Sequence, residues 1–160
     1  MRKAEDSNLI ATNARTLLNE KYLYHLKVYT DGSVLGTGKT GAGCVIPDLN
    51  MKRSFFLGKG FSIFTAELVA IIMALNTINS MSIPFYSLLF CVDSQSVINS
   101  LQSNISKERP ELIYDIKHSI HSLIVNGTSV DFLWIPSHSG LLYNDWADKA
   151  AKQGLSLIHI

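Results

Sequence analysis

The sequence has few of the features that mark secreted, zinc-stabilised or membrane proteins. Its 160 residues include two cysteines, Cys44 and Cys91, without C-x-x-C spacing, which argues against a disulfide framework and a structural zinc site. No apolar run approaches the roughly 20 residues that cross a bilayer, and the N-terminus has no apolar segment typical of a secretory signal. We therefore expect an intracellular, soluble protein, cytoplasmic or nuclear, that has no membrane partner.

Neither basic nor acidic residues are in clear excess. The formal net charge is +1 and the sequence pI is about 7.8, whereas strongly basic nucleic-acid binders carry a clear excess of lysine and arginine. A protein that contacts nucleic acid through bound metal ions would still have this composition. With 47% hydrophobic and 17% charged residues, the chain is typical of one globular domain.

The apolar periodicity changes along the chain and predicts the elements in order. Alternating apolar residues predict a strand over Leu26–Thr30, with two further strands at hairpin spacing over 42–46 and 52–60. Helical spacing from Thr65 to Ile78 then predicts a largely buried helix. The later predicted elements are a strand over 87–92, a helix within 94–101, a helix from Pro110 to about 125, a strand over 129–135 and a helix over 144–153.

This order, β-β-β-α-β-α-α-β-α, predicts an α/β fold. We expect a five-stranded mixed sheet, with three antiparallel strands followed by two parallel strands, flanked by helices. The domain itself is predicted over residues 25–155. Residues 1–24 are interpreted as a lead segment or linker with one short helical stretch over 14–25, and residues 156–160 as an unstructured tail that is an artefact.

Two acidic residues occupy places that also have ordinary structural explanations. Asp31 is predicted to end the first strand, and the dipeptide Asp31-Gly32 is by itself typical of a tight turn. Glu67 is predicted in the first turn of the first long helix, where a carboxylate interacts favourably with the helix dipole. Neither residue by itself indicates a catalytic or metal-binding site.

Two further acidic residues follow the same pattern. Asp93 comes directly after the apolar strand over 87–92 and is suited to cap the next helix. Asp148 lies in the last predicted helix, four residues before Lys152, at the spacing of a helical ion pair. Taken singly, each ordinary explanation is preferred. Adjacent strands would nevertheless bring Asp31 and Asp93 together, because sites in α/β sheets form at the carboxyl ends of the strands.

A cluster of these acids at one edge of the sheet would be unstable without a counter-charge. Carboxylates that lie close together raise each other's pKa, so three or four of them are costly without a bound cation. Oxygen ligands favour hard cations, namely Mg²⁺ or Mn²⁺. The sequence therefore predicts a divalent metal site, provided that the sheet assembles as expected.

The acidic motifs, together with the residues that surround them, carry a specific resemblance. The chain resembles the ribonuclease H family over about residues 25–154, and most resembles the ribonuclease H domains of non-LTR retrotransposon polyproteins. The motifs that carry the resemblance are "YTDGS", "TAELVAI", "VDSQSV" and "WIPSHSGLLYNDWADKAAK".

The resemblance implies roles for particular residues. Asp31, Glu67, Asp93 and Asp148 match the family's four metal-binding, catalytic carboxylates, and His138 matches its mobile catalytic histidine. The implied cofactor is a pair of Mg²⁺ ions, for which Mn²⁺ can substitute, with no small-molecule cofactor. On this basis Asp31 is both the end of a strand and a metal ligand.

The resemblance also implies a substrate and a partner. The expected activity is endonucleolytic hydrolysis of the RNA strand of RNA/DNA hybrids by a two-metal-ion mechanism, leaving a 3′-hydroxyl and a 5′-phosphate. Gly32, Ser33, Ser94 and Gln95 are the expected contacts to the hybrid, through 2′-hydroxyl groups in the shallow minor groove. A covalently linked reverse transcriptase is the expected partner in a parent polyprotein.

Two departures from the family pattern leave other functions open. Ile63 and Phe64 stand where many relatives carry asparagine or glutamine, and the segment 102–110 has no room for a basic protrusion. The chain could instead be a catalytically weak nucleic-acid-binding module of a retroelement polyprotein. It could also be another nuclease or a transferase of the same fold.

Overall fold

The structure is a computed structural model that describes residues 2–81, 86–104, 106–136 and 142–156. Over these residues it shows a sheet with helices on both faces. None of the described helices has both the length and the apolar character needed to cross a bilayer. The elements in chain order are α1 Arg2–Asn19, β1 Leu26–Val34, β2 Lys39–Ile46, a 3₁₀ turn Pro47–Leu49, β3 Met51–Lys59, α2 Ile63–Asn79, β4 Ser87–Val92, α3 Gln95–Gln102, α4 Pro110–Val125, β5 Ser129–Trp134 and α5 Leu142–Ser156.

The sheet has the predicted mixed topology. Its five strands lie in the order β3-β2-β1-β4-β5. The hairpin partners β1–β2 and β2–β3 are antiparallel, and β1–β4 and β4–β5 are parallel. Parallel strands need a long crossover. The connection through α2 carries the chain from the edge strand β3 to β4, and the α3–α4 pair joins the parallel neighbours β4 and β5. The predicted α/β fold is confirmed.

The sheet is buried on both faces by two separate apolar layers. In β1, Val28 points into the layer formed with α2, α3 and α4, whereas its neighbour Tyr29 points into the layer formed with α1 and α5. The cysteines follow the same alternation, because Cys44 belongs to the first layer and Cys91 to the second. Both are free and buried, and burial raises the pKa of Cys44 to about 11 and that of Cys91 to about 12.

The N-terminal helix is longer and begins earlier than the helical stretch predicted over 14–25. α1 covers Arg2–Asn19, and its buried residues Ala11, Ala14 and Leu18 recur at helical spacing. Small alanines give a weak hydrophobic signal in sequence, and contact with the sheet layer rather than strong amphipathicity stabilises such a helix. The domain boundaries at residues 25 and 155 stay a prediction. Ser156 is the last residue of α5, and residues 157–160 lie outside the described residues.

The first hairpin turns later than predicted. β1 does not end at Asp31 but continues to Val34, and the turn is closed by hydrogen bonds between Leu35 and Lys39 and between Leu35 and Gly38. Gly38 has the positive φ of the turn, 85°, which glycine adopts without steric cost. The interpretation of Asp31 as a turn residue is therefore wrong.

Candidate active site

Asp31 and Asp93 are brought together by the register of two parallel strands. The β1–β4 ladder runs from Leu26↔Leu88 to Thr30↔Val92 and ends there. Asp31 and Asp93 are the next residue on each strand, so they emerge side by side at the carboxyl end of the ladder. β1 continues beyond this point because its other neighbour, β2, still pairs with it.

Asp93 is not a helix cap, as its ordinary explanation required. The cap of α3 is Ser94, whose hydroxyl accepts a hydrogen bond from the backbone N–H of Val97 at 3.4 Å. The backbone of Asp93 is held instead by Trp134 on β5, whose indole Nε1–H donates to the Asp93 carbonyl oxygen at 3.1 Å. Asp93 also lines the pocket described below.

Glu67 comes from α2, which packs unusually close to β1. A Cβ atom added at Gly32 would lie 2.7 Å from the Cβ of Ala66 and 2.7 Å from the backbone nitrogen of Glu67. Only glycine permits this approach, which carries the Glu67 side chain to Asp31. Because α2 begins at Ile63, Glu67 lies beyond its first turn, so the predicted position in the first turn, with its helix-dipole explanation, is wrong.

Asp148 comes from α5, on the opposite face of the sheet. A Cβ atom added at Gly43 would lie 2.4 Å from the backbone nitrogen of Ala151, so glycine again permits close contact between helix and strand. The carboxylate of Asp148 is 2.8 Å from Nζ of Lys152. The predicted ion pair is therefore present, and Asp148 also lines the pocket with the other three acids.

The four acidic side chains share one pocket of about 330 Å³. Of the four expected hybrid contacts, Gly32 and Ser94 line it. Ser33 is buried in β1, and Gln95 is exposed at the start of α3. The remaining lining residues are Ile63, Phe64 and Ser96.

Ser96 was missed by the sequence analysis, although the alternating pattern "SQS" at the helix start offered a signal. Its hydroxyl lies 3.1 Å from that of Ser94, so both serines present polar groups on the same side of α3. His138, the expected mobile histidine, lies outside the described residues.

The carboxyl groups of Asp31 and Glu67 have strongly perturbed pKa values. Burial, followed by the charges of Asp93 and Asp148, raises the pKa of Asp31 to about 7. Burial, followed by the charges of Asp31 and Asp93, raises the pKa of Glu67 well above its ordinary value. Hydrogen bonding between the two carboxyl groups raises the pKa of Glu67 and lowers that of Asp31.

The same residues fit a divalent cation. Asp31, Glu67 and Asp93 each offer a carboxylate oxygen, and these oxygens lie within 4.8 Å of one another. Among the described residues, Oε2 of Glu67 is buried and has no hydrogen-bond partner, which is costly unless another ligand satisfies it. A hard cation with oxygen ligands would satisfy this atom and offset the mutual repulsion of the carboxylates.

Comparison with known families decides the assignment. The sequence profile of the RNase H family matches residues 24–156. The chain belongs to the ribonuclease H family. The expectation of an enzyme of the ribonuclease H class is thereby confirmed, together with the resemblance to that family.

Individual relatives agree with this membership. A ribonuclease H from Aeromonas salmonicida (strain A449) is 28% identical over 148 residues, which cover 84% of this chain and 92% of the relative. The crystal structure of RNase H1 from the halophilic archaeon Halobacterium salinarum NRC-1 superimposes with a TM-score of 0.63 at 22% identity, covering 82% of this chain and 98% of that one. LC11-RNase H1, isolated from compost, gives 0.65 at 22% identity, covering 82% and 99%. The two structures confirm the ribonuclease H-like fold.

Proposed function

We propose that this chain is an endonuclease that hydrolyses the RNA strand of RNA/DNA hybrids in a reaction dependent on divalent metal ions. The proposed products are a 3′-hydroxyl and a 5′-phosphate. The observation that carries the proposal is the group of three carboxylates, Asp31, Glu67 and Asp93, that line one pocket in a ribonuclease H fold. A protein that only bound nucleic acid would gain nothing from acids that repel both phosphate and one another.

Four carboxylates are proposed to hold two Mg²⁺ ions, for which Mn²⁺ can substitute. Asp31 interacts electrostatically with all three of the other acids and is the proposed shared ligand. Asp148 is the fourth proposed ligand, and it contributes to the cluster by raising the pKa of Asp31. When bound, the ions would supply activation of the attacking water and stabilisation of the leaving oxygen.

The remaining proposed roles concern the substrate and protons. Gly32 and Ser94, which line the pocket, are proposed to contact the hybrid, and so are their chain neighbours Ser33 and Gln95. Small side chains and backbone groups suit the shallow minor groove, where 2′-hydroxyls distinguish RNA from DNA. His138 is proposed to move protons or aid product release, because imidazole titrates near neutral pH.

The test is cleavage of an end-labelled RNA/DNA hybrid in Mg²⁺, resolved on a denaturing gel. Wild-type protein should cut the RNA strand, and chelation by EDTA should stop the reaction. Asp31→Asn should be inactive, whereas Asp115→Asn, which removes the same charge from an exposed position on α4, should retain the wild-type rate. Duplex DNA and single-stranded RNA serve as substrate controls.

The outcome also separates the alternative functions. Hybrid binding without cleavage in either metal would indicate a catalytically weak binding module. Cleavage of duplex DNA at a comparable rate would indicate another nuclease of the same fold. Equal activity of Asp31→Asn and wild type would contradict the assignment of the site.

We further propose that the domain derives from a non-LTR retrotransposon polyprotein, with a linked reverse transcriptase as its partner, acting in the cytoplasm or nucleus. The support is the resemblance of two motifs, "FSIFTAELVAI" and "WIPSHSG", to those of the ribonuclease H domains in such polyproteins. Sequencing the transcript that encodes the chain would test this proposal. A continuous reading frame that includes a reverse transcriptase would support it, and an isolated frame with its own start and stop codons would contradict it.

A further inference from the structure

A short segment before α4, residues 106–109, lies against the start of α2. Oε1 of Glu108 accepts a hydrogen bond from the hydroxyl of Ser62 at 2.9 Å. Nε of Arg109 donates to the hydroxyl of Thr65 at 3.2 Å. The Arg109 guanidinium also lies over the ring of Phe61, with Cζ 5.6 Å from the ring centroid. Two consecutive residues thus contact three of the residues around the first turn of α2.

The hydroxyl groups in these contacts are the ones that cap α2. Ser62 is the N-cap, and its oxygen accepts from the backbone N–H of Thr65 at 3.1 Å. The two hydroxyls lie 3.1 Å from each other. Hydrogen bonds therefore connect the residues that cap α2 to a second segment of the chain that is distant in sequence.

Arg109 is itself held in a fixed orientation. Its φ of 48° lies in the left-handed region, which is unfavourable for a residue with a side chain and persists only where surrounding contacts impose it. Its Nη1 donates to Glu111 at 3.1 Å. The next residue, Pro110, begins α4, which the buried Ile113 and Ile116 anchor in the core.

From these contacts we propose that Arg109 is a positioning residue for hybrid binding, a role that rests on the proposed function. It holds the first turn of α2, where Ile63 and Phe64 line the pocket. Glu67 lies further along α2, which buried contacts along its length hold against the sheet. Loss of the Arg109 contacts should therefore loosen the substrate-facing turn more than the carboxylate cluster.

A direct contact between Arg109 and phosphate is the competing explanation, and it makes a different prediction. A direct contact needs only positive charge, so Arg109→Lys would keep most of the function. Positioning needs the Nε–Thr65 bond and the planar group over Phe61, which lysine cannot reproduce together. Thr65→Val removes the Thr65 hydroxyl, and with it the contacts to Arg109 Nε and to the Ser62 hydroxyl, so it should impair hybrid binding in the same way as a change at Arg109.

The experiment measures KM and kcat on the hybrid, together with amide hydrogen exchange over residues 61–67. The variants are Arg109→Gly, Arg109→Lys, Thr65→Val and the double variant Arg109→Gly/Thr65→Val. Lys107→Gln, at an exposed position in the same segment, is the charge control. Glycine tolerates a positive φ, so Arg109→Gly should fold at least as well as wild type.

We expect Arg109→Gly, Arg109→Lys and Thr65→Val each to raise KM, by up to about tenfold, with kcat changed less than threefold. This is below the 10²-fold that misplacement of reacting groups can cost. The double variant should be less impaired than the two single effects combined, because the Arg109–Thr65 bond is lost in both single variants. Exchange over 61–67 should accelerate in the Arg109 variants and not in Lys107→Gln.

Three results would overturn the proposal: wild-type KM in Arg109→Lys, strictly additive effects in the double variant, or unchanged exchange over 61–67. Absence of hybrid cleavage by wild type would refute the proposed function instead. The exchange measurement needs no substrate, so it would still decide whether Arg109 holds the start of α2.

Discussion

The two helices that flank Asp31 each contribute one acidic residue, and these two residues differ in burial and in their partners. Glu67 on α2 is buried, and its Oε2 has no hydrogen-bond partner among the described residues. Asp148 on α5 is about one-fifth exposed (21%) and is paired with Lys152. The α2 side of the site is thus short of positive charge, whereas the α5 side already has a cation. A divalent ion should therefore depend more strongly on Glu67 than on Asp148.

The largest expected difference between the two sides is in cleavage. We expect Glu67→Gln to lower kcat/KM by about 10³-fold or more, since a bound metal contributes several kcal/mol to the transition state. Asp148→Asn should cost about 10–100-fold, because Lys152 has already offset part of that charge. Single-turnover cleavage at several Mg²⁺ concentrations measures both losses. Equal losses in the two variants would contradict the difference between the two sides.

Substitution of the two glycines that allow close helix–strand packing, Gly32 and Gly43, should affect the α2 side and the α5 side differently. Both Tm and cleavage rate should show the difference. Gly32→Ala would force α2 away from β1, and Gly43→Ala would force α5 away from β2. Overpacking of this kind costs about 1–3 kcal/mol, or about 2–12 °C in Tm for a protein of this size. Gly32→Ala should lose more activity than Gly43→Ala because it displaces Glu67.

Gly36→Ala is the matched control for both glycine variants, because in the described part of the chain no atom beyond Gly36 and its chain neighbours lies within 4 Å of a Cβ atom added there. Its Tm and cleavage rate should equal those of wild type. Thermal unfolding followed by circular dichroism, beside the cleavage assay, provides both measurements. A wild-type Tm in Gly32→Ala would show that α2 can move without cost.

Metal-free protein should lose stability as the pH rises. The raised pKa values of Asp31, about 7, and of Glu67 mean that the folded state binds protons more tightly than the unfolded chain. This contribution to stability is fully present below the ordinary carboxyl pKa of about 4 and is lost as the pH rises through about 7.

We therefore expect the Tm of wild type, measured in EDTA, to fall by roughly 5 °C more than that of Asp31→Asn between pH 5 and pH 8. Each kcal/mol of lost unfolding free energy lowers the Tm of a protein of this size by about 2–4 °C. Excess Mg²⁺ should remove most of the difference at pH 8. A wild-type Tm that rises with pH in EDTA, relative to the same variant, would contradict the buried carboxyl pair.

The smallest expected effect is at Lys152. The Lys152–Asp148 pair is near the surface, and such pairs are worth about 0–1 kcal/mol. Lys152→Gln should free Asp148 and raise the apparent Mg²⁺ affinity about two- to threefold at low salt, measured by calorimetry. Lys149→Gln, at an exposed position on the same helix, should leave the affinity unchanged.

The sequence predicted the topology because β1 alternates apolar and polar residues, β4 is a continuous apolar run of strand length, and each crossover contains a helix. It also placed Asp31 and Asp93 together correctly, since adjacency needed only that β1 and β4 be neighbours. It could not show that β1 continues past Asp31, because that depends on how far β2 pairs with it.

Other local features depended on contacts that no short sequence window contains. The ordinary explanation of Asp93 as a cap failed because Ser94, one residue later, makes the cap. α1 was predicted too short because alanine contacts with the sheet stabilise it. Whether Glu67 is hydrogen-bonded could be known only after α2 was packed against Gly32.

The register of β1 with β4 has a consequence for folding. The first hairpin can form from local contacts and carries Asp31, but Asp93 arrives only when Thr30 pairs with Val92 across a long connection. A hairpin alone therefore has no complete cation site, and neither does the unfolded chain. A cation that binds only the finished ladder stabilises the native state by mass action, so added Mg²⁺ should slow unfolding while leaving formation of the hairpin unaffected.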